Sequence, residues 1–298
     1  MKMNNCPVCE GNKMVKKKYN SSNSKLSLKK IKYMIKSVFK EKNLFIGNAL
    51  VCEHCGYGIM ETIPNQEMLK CYYENQYWEQ KLFDTTEMAD KYKEDLRAGA
   101  QIKAVCNYLT DAKNILEIGA GSAFASLQLR DALLENNLEL HVCEPGKQWV
   151  DYYIKNNIKK IAEYFPFNTE LKFDYIHTSH WLEHVRDVKK TISVLNNMLT
   201  EKGYLFVEVP NTEFDFWELN RDRTPHIHFF TKKSLMNIFQ QLGFECVFIY
   251  ETGATRSEYS KTRVIPPEKY DGEHEKGCWI RSLFVKRNNM FKSTNAKY

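Results

Sequence analysis

The chain has 298 residues, enough to bury one sizeable core plus a small accessory module. It is 43% hydrophobic, as an ordinary globular protein is, and no apolar run approaches the ~18 residues of a membrane-spanning helix. The formal net charge is +6, but residues 13–42 alone hold eleven Lys and one Glu, so the remainder sums to −4 and the basicity is local. Met1-Lys2-Met3-Asn4-Asn5 leads to Cys6 without the apolar stretch of a secretion signal, so the expected location is cytoplasmic.

Nine cysteines in such a chain point to thiol or metal chemistry more than to disulfides. Cys6-Pro7-Val8-Cys9 and Cys52-Glu53-His54-Cys55-Gly56 are two Cys-x-x-Cys hairpins, each able to wrap two thiolates around one tetrahedral ion. Together they predict a structural Zn2+ site of Cys6, Cys9, Cys52 and Cys55. The 42 residues between the hairpins exceed the common ribbon spacing, and an inserted helix closes that loop at small entropic cost. His54 is set aside because four sulfurs fill the shell. Cys71, Cys106, Cys143, Cys246 and Cys278 are expected to be small buried hydrophobes.

Within the insert, Leu28, Ile31, Met34, Ile35, Val38 and Phe39 recur at helical spacing with lysines between them, which predicts a basic amphipathic helix. Either it docks its apolar face on its own domain, or residues 25–42 make a peripheral contact with an anionic membrane surface or an acidic partner. Nucleic acid is disfavoured, because the stretch has no arginine and only two tyrosines for stacking. The chain is thus expected to divide into a zinc-binding module, 1–70, and an α/β domain, 71–298. The latter opens on the aromatic segment Met68 to Trp78 and a helix from about Ala89 to Leu109.

Asn114-Ile115-Leu116-Glu117-Ile118-Gly119-Ala120-Gly121-Ser122-Ala123 is an apolar strand carrying one carboxylate into a glycine-rich turn, and a helix follows from Phe124 to about Leu134. Such a turn brings backbone close to a ligand at a helix N-terminus. A dinucleotide fingerprint would need a third glycine where Phe124 stands, so NAD is disfavoured. Glu144, 23 residues after Gly121, ends the next strand, Leu138 to Cys143, where a carboxylate can accept from a ribose diol. The alternation continues through helix 147–157, strand 159–163, strand 173–177, helix 187–199, strand 203–209, helix 231–241 and the strands 245–250 and 278–286. This predicts an α/β fold with a doubly wound, Rossmann-like seven-stranded sheet and an antiparallel edge hairpin. Segment 251–277 reads as a surface excursion.

Leu116-Glu117-Ile118-Gly119-Ala120-Gly121-Ser122-Ala123, the acidic end of the second strand at Glu144, and Leu182-Glu183-His184-Val185 after the fourth strand occur in one order and spacing. Over roughly residues 100–298 the chain in this respect resembles the class I S-adenosylmethionine-dependent methyltransferases. The resemblance implies S-adenosyl-L-methionine as cofactor. Glu117 would reach its ammonium, Gly119, Gly121 and Ser122 would give backbone room, and Glu144 would hold the ribose. Glu163, or Asn168 in its stead, would accept from the adenine amine, with His180 and Trp181 beside the base. Tyr72, Tyr73 or Tyr77 would cap the pocket or pack on the core.

For proton transfer, His226 and His184 are the candidate catalytic residues. Pro225-His226-Ile227-His228-Phe229-Phe230-Thr231 resembles the family's His-Leu-x-x-Phe-(Ser/Thr) segment, while His184 reads equally as a clamp between turn and helix. His228 shares a face with His226, and His177, inside a strand, is expected to be packed. A four-cysteine module on this core is similar to enzymes that methylate sugars or nucleotide-sugars, at oxygen before carbon. Asn211 to Trp217 with Arg221 and Arg223 would suit such a substrate, aromatics for the ring and guanidinium for phosphate. The alternative is a non-catalytic or RNA-associated protein that binds through the Zn ribbon and the lysine-rich helix.

Overall fold

The computed structural model describes residues 5–20, 46–73, 91–219 and 226–287. The lysine-rich helix and Tyr77, Trp78, Arg221 and Arg223 lie outside these residues.

Two sheets organise the chain. The first consists of β1 (Met14–Asn20), β2 (Ile46–Cys52), β3 (Gly58–Met60) and, from far downstream, β9 (His228–Phe229). These strands pair antiparallel in that order, with Gly58 opposite Phe229 and Ile59 opposite His228. Two helices lead to the second sheet. α1 (Gln66–Tyr72) is capped by Asn65, and α2 (Leu96–Val105) is capped by Asp95, whose carboxylate accepts from Ala98 N at 2.7 Å. The continuous helix expected up to Leu109 is interrupted here. A 3₁₀ turn over Lys91–Glu94 gives way at Asp95, because its side chain caps a new helix start.

The large sheet carries β4 (Asn114–Ile118), β5 (Glu139–Cys143), β6 (Ile158–Ala162), β7 (Phe173–Ser179), β8 (Leu199–Pro210), β10 (Phe244–Thr255) and β11 (Gly277–Lys286). Their order is β10-β11-β8-β7-β4-β5-β6. The five strands from β8 to β6 run parallel, and β11 pairs antiparallel with both neighbours. The α/β doubly wound, seven-stranded sheet read from the alternation is present. β4 is central, and Ile115, Leu116 and Ile118 are buried in succession, as a strand covered on both faces requires. The chain runs from β4 to β5 and β6 on one side and from β7 to β8 on the other. The crevice outside the carboxyl ends of β4 and β7 is therefore the topological switch point, where such sheets bind ligands.

Helices α3 (Phe124–Ala132), α4 (Val150–Lys155), α5 (Val188–Met198) and α7 (Lys232–Gln241) accompany the sheet, with short α6 (Phe216–Leu219) and α8 (Arg256–Thr262) on excursions. α5 shows the logic: Asp187 caps it, and Val188, Ile192, Leu195 and Met198 form one buried stripe. β8 is longer than expected because Leu199 is already extended where α5 ends.

The four-cysteine segment shares the core of the large sheet. Cys6, Val8, Cys52, Cys55, Tyr57 and Ile59 belong to the same buried cluster as Leu116, Ile176, Phe230 and Leu235. Thr231 Oγ1 also donates to the Cys55 carbonyl at 2.7 Å, so β9 and the start of α7 tie residues on either side of position 70 together. Among the described residues, no helix is long and apolar enough to cross a membrane.

Candidate active site

A cavity of about 850 Å3 opens at the switch point. One wall is the glycine turn. Gly119 and Gly121 have φ of +69° and +50°, a left-handed backbone that favours glycine, and with Ser122 both line the cavity. A Cβ at Gly119 would lie 2.8 Å from Trp181 Cδ1, so this glycine also makes room for the indole that covers it.

Glu144 and Glu117, the carboxylates beside the glycine turn, do different work, and of the two Glu144 lines the cavity. Glu144, at the end of β5, is buried and lines the cavity; it accepts from Gly121 N at 2.9 Å and Gly146 N at 2.7 Å. Glu117 accepts from Ser126 N at 3.0 Å and Ser126 Oγ at 2.5 Å, so its carboxylate is engaged with the start of α3. Burial pushes its pKa up to about 7, against the pull of the Ser126 hydrogen bonds. Trp149, Tyr164, Phe165 and Trp181 give the cavity aromatic surface, and Glu163, half exposed, stands at 3.9 Å from Lys160. A carboxylate beside a side-chain-poor turn, with aromatic surface nearby, fits an adenosine: two acceptor oxygens for a diol and flat faces for a base. Of the tyrosines, Tyr73 lines the cavity, and Tyr72 packs on Leu69 and Ile227.

The opposite wall is built around Glu183. The turn after β7 starts at His180, whose backbone is left-handed at φ +52°, a sparsely populated conformation for a residue with a Cβ and one found at functional sites. Glu183 is buried, and three imidazoles face its Oε1: His180 Nδ1 at 3.5 Å, His184 Nε2 at 3.5 Å and His226 Nε2 at 3.9 Å. His226 arrives at the entry to β9, where Ile227 N donates to the Glu183 carbonyl at 2.8 Å. His180 and His184 line the cavity, and His226 lies behind them, with its ring centroid 5.1 Å from that of His184. Burial holds His226 and His180 well below the usual histidine range, and neighbouring positive charge adds to it: His184 and His180 for His226, Arg97 for His180. His177 is packed as expected, its ring stacked on Phe206 at 4.6 Å. His228 is bonded to Tyr57 Oη at 2.6 Å through Nδ1.

Arg97 and Asp95 also line the cavity, although no sequence feature singled them out. Arg97 Nε donates to Glu208 Oε1 at 2.8 Å, and Arg281 Nε to Glu208 Oε2 at 2.7 Å. Burial alone would raise the Glu208 carboxyl, but Arg281 and Arg97 outweigh it and hold the pKa well below the carboxylate range. Arg97 is thereby fixed against Ser179 at the end of β7, with its guanidinium 4.4 Å from the Trp279 ring.

One expectation for the substrate side changes. Phe216 and Trp217, read as a face for a sugar, pack with Tyr19 and Phe229 instead. Asn211 Nδ2 donates to the Gly277 carbonyl at 3.0 Å, which makes it a fastener between strands.

In the four-cysteine segment, Cys6 Sγ lies 3.6 Å from Cys55 Sγ and Cys9 Sγ 3.5 Å from Cys52 Sγ; all four sulfurs fall within 4.8 Å of one another. No sulfur pair is bonded. Gly56, at φ +74°, closes the second hairpin against Thr231, whose Cγ2 would lie 2.4 Å from an added Cβ. The remaining cysteines are scattered.

A profile of the methyltransferase-domain family matches residues 87–248, more than half of the chain. The chain belongs to that family and is an S-adenosylmethionine-dependent methyltransferase of the class I architecture. Among solved structures, the Burkholderia thailandensis 1,6-didemethyltoxoflavin-N1-methyltransferase, determined with 1,6-didemethyltoxoflavin and S-adenosylhomocysteine, is 11% identical. It superposes with a TM-score of 0.53 and covers 78% of this chain and 96% of that one. A Thermotoga maritima methyltransferase described as a possible histamine N-methyltransferase is 19% identical, with a TM-score of 0.48 over 67% of this chain and 97% of that one. NodS, an N-methyltransferase of Bradyrhizobium japonicum, is 13% identical, with a TM-score of 0.44 over 74% and 97%. At these identities the likeness is one of fold. No curated protein sequence matches the chain.

Proposed function

We propose that this enzyme methylates an oxygen, in preference to a carbon, of a carbohydrate-type small molecule such as a nucleotide-linked sugar. The observation that carries this reading is the two-walled cavity, with the glycine turn and Glu144 on one wall and the buried Glu183, His180, His184 and His226 cluster on the other. When bound, the cofactor supplies an electrophilic methyl group on a sulfonium. Glu144 holds the ribose diol, Gly119, Gly121 and Ser122 admit the cofactor's backbone-facing edge, and Glu117 holds the first turn of α3 in place beneath the amino-acid end. Glu163 and Trp181 flank the base, while His180 belongs to the Glu183 cluster. Activation of the acceptor hydroxyl falls to the Glu183 cluster, in which His184 faces the cavity and His226 lies behind it.

Lys70, Arg186 and Lys190 line the same cavity and suit a phosphate-bearing acceptor. A panel of nucleotide-linked sugars assayed for S-adenosylhomocysteine formation tests this. Turnover is expected with a sugar diphosphonucleoside and not with the corresponding free amine acceptors; the reverse preference contradicts the reading.

We infer further that Cys6, Cys9, Cys52 and Cys55 hold one structural Zn2+. Four Zn–S bonds of about 2.3 Å at tetrahedral angles put sulfurs about 3.8 Å apart, close to the separations of the two paired contacts. A disulfide would need about 2.05 Å. The role of such an ion is to hold the two hairpins, and through Thr231 the segment carrying His226, in position.

A further inference from the structure

We propose that Glu183, His184 and His226 form a second divalent-cation site in the wall of the cavity, separate from the four cysteines, through which the acceptor's oxygen is held. The proposal rests on the methyltransferase reading for its purpose and on the geometry for its existence. One nitrogen from each imidazole and one carboxylate oxygen lie within 4.8 Å of one another. The two nitrogens stand 3.5 and 3.9 Å from Glu183 Oε1. Hydrogen-bonded atoms would approach to about 2.7–3.2 Å. Ligands sharing one tetrahedral ion at bonds of about 2.1 Å lie about 3.4 Å apart, so these separations match a shared ion better than a direct hydrogen bond.

The backbone sets this arrangement before any ion arrives. Ile227 N donates to the Glu183 carbonyl at 2.8 Å and His184 N to the Trp181 carbonyl at 3.0 Å, so the two segments that supply ligands are fastened to each other. Glu183 and His226 are both buried, so the ligand atoms are held by packing as well as by these backbone bonds. His180, 3.5 Å from the same Glu183 oxygen, stands as the partner that orients the carboxylate.

The side of the cluster that carries His184 and His180 opens on the cavity, so three protein ligands leave positions free for an oxygen of the acceptor. Two imidazoles and one carboxylate without a thiolate select Mn2+, Fe2+, Co2+ or Zn2+ over Ca2+. A cation there lowers the pKa of a bound hydroxyl, whose proton passes to solvent, so the acceptor is presented to the methyl group as its more nucleophilic form.

Mn2+ is the probe, because a four-thiolate centre is a poor site for so hard an ion. Free Mn2+ is followed by electron paramagnetic resonance during titration of the full chain, and S-adenosylhomocysteine affinity is measured by calorimetry on the same samples. One saturable Mn2+ per chain is expected. Glu183→Gln and His184→Ala should each weaken it by at least ~10–100-fold, the loss that even outer-shell changes cause, while S-adenosylhomocysteine affinity stays within about threefold and certifies the fold. Absence of saturable Mn2+ binding in protein that binds S-adenosylhomocysteine overturns the site and leaves the methyltransferase reading standing. Mn2+ binding that survives in both variants, which keep all four cysteines, also overturns it. Mn2+ binding lost in the variants, in a chain that binds S-adenosylhomocysteine but turns over no nucleotide-linked sugar, supports the site and overturns the proposed substrate.

Discussion

Glu144 and Glu117 sit close in sequence-defined roles, yet their environments separate them. Glu144 is preorganised by two backbone N–H donors at 2.9 and 2.7 Å, which fix its carboxylate at the cavity it lines. Glu144→Ala should therefore weaken S-adenosylhomocysteine binding by about 1.5–3 kcal/mol, the range for a hydrogen bond to a charged group, with calorimetry as the readout. Unchanged affinity would remove Glu144 from the ribose site. Glu117, raised to about 7 by burial, gives a pH signature instead. The folded chain holds a proton that the unfolded chain releases nearer the usual carboxylate pKa. Stability from this group is thus present at low pH and is lost as pH rises from about 4.5 to about 7, a loss on the order of 2–3 kcal/mol. Glu117→Gln, which imitates the neutral form, should flatten that part of the denaturation profile measured at pH 4.5 and 7.5. Identical pH dependence in both proteins would show that the carboxyl is not perturbed.

Among elements, the most exacting arrangement is the joint between β8, β11 and α2. Glu208 and Arg281 are both 0% exposed, and Arg97 closes the other side of the carboxylate. Arg281→Met leaves Glu208 with half of its compensation and should destabilise the fold by about 3–5 kcal/mol, read as a lowered Tm. A variant as stable as the parent would mean that water reaches Glu208. The joint between β3 and β9 makes a different prediction. Because β9 is the fourth strand of the sheet whose hairpins carry the cysteines, Cys52→Ser with Cys55→Ser should remove one Zn2+ per chain in elemental analysis and reduce methyl transfer far more than cofactor affinity. The cysteine pair reaches the His226 segment directly through Thr231, whereas the glycine turn follows β4, which is held between β5 and β7. Equal losses of binding and turnover would argue that the whole cavity depends on the metal.

For the molecule as a whole, the sequence carried the large sheet well, because β4, β5, β7 and β8 each announce themselves as short apolar runs between helical segments. The glycine turn and Glu144 were legible for the same reason: their chemistry is local. The Glu183 cluster was only half legible. Leu182-Glu183-His184-Val185 drew attention to the turn, but the convergence with His226, 42 residues later, depends on the β3–β9 pairing. That strand is two residues long and has no periodic signal of its own. Arg97 and Glu208, 111 residues apart, form a pair that no spacing rule reveals. Phe216 and Trp217 misled because an aromatic run reads alike whether it meets a ligand or, as here, the back of β1.

The central claim is that the cavity at the switch point takes the cofactor on its glycine-turn wall and the acceptor on its Glu183 wall. It is tested most directly by a crystal structure of the full chain with S-adenosylhomocysteine. The account predicts the ribose hydroxyls within hydrogen-bonding distance of Glu144, the amino-acid end over Gly119 to Ser122, and the sulfur facing His184. A ligand seated elsewhere, or one whose sulfur points away from the Glu183 cluster, would contradict it.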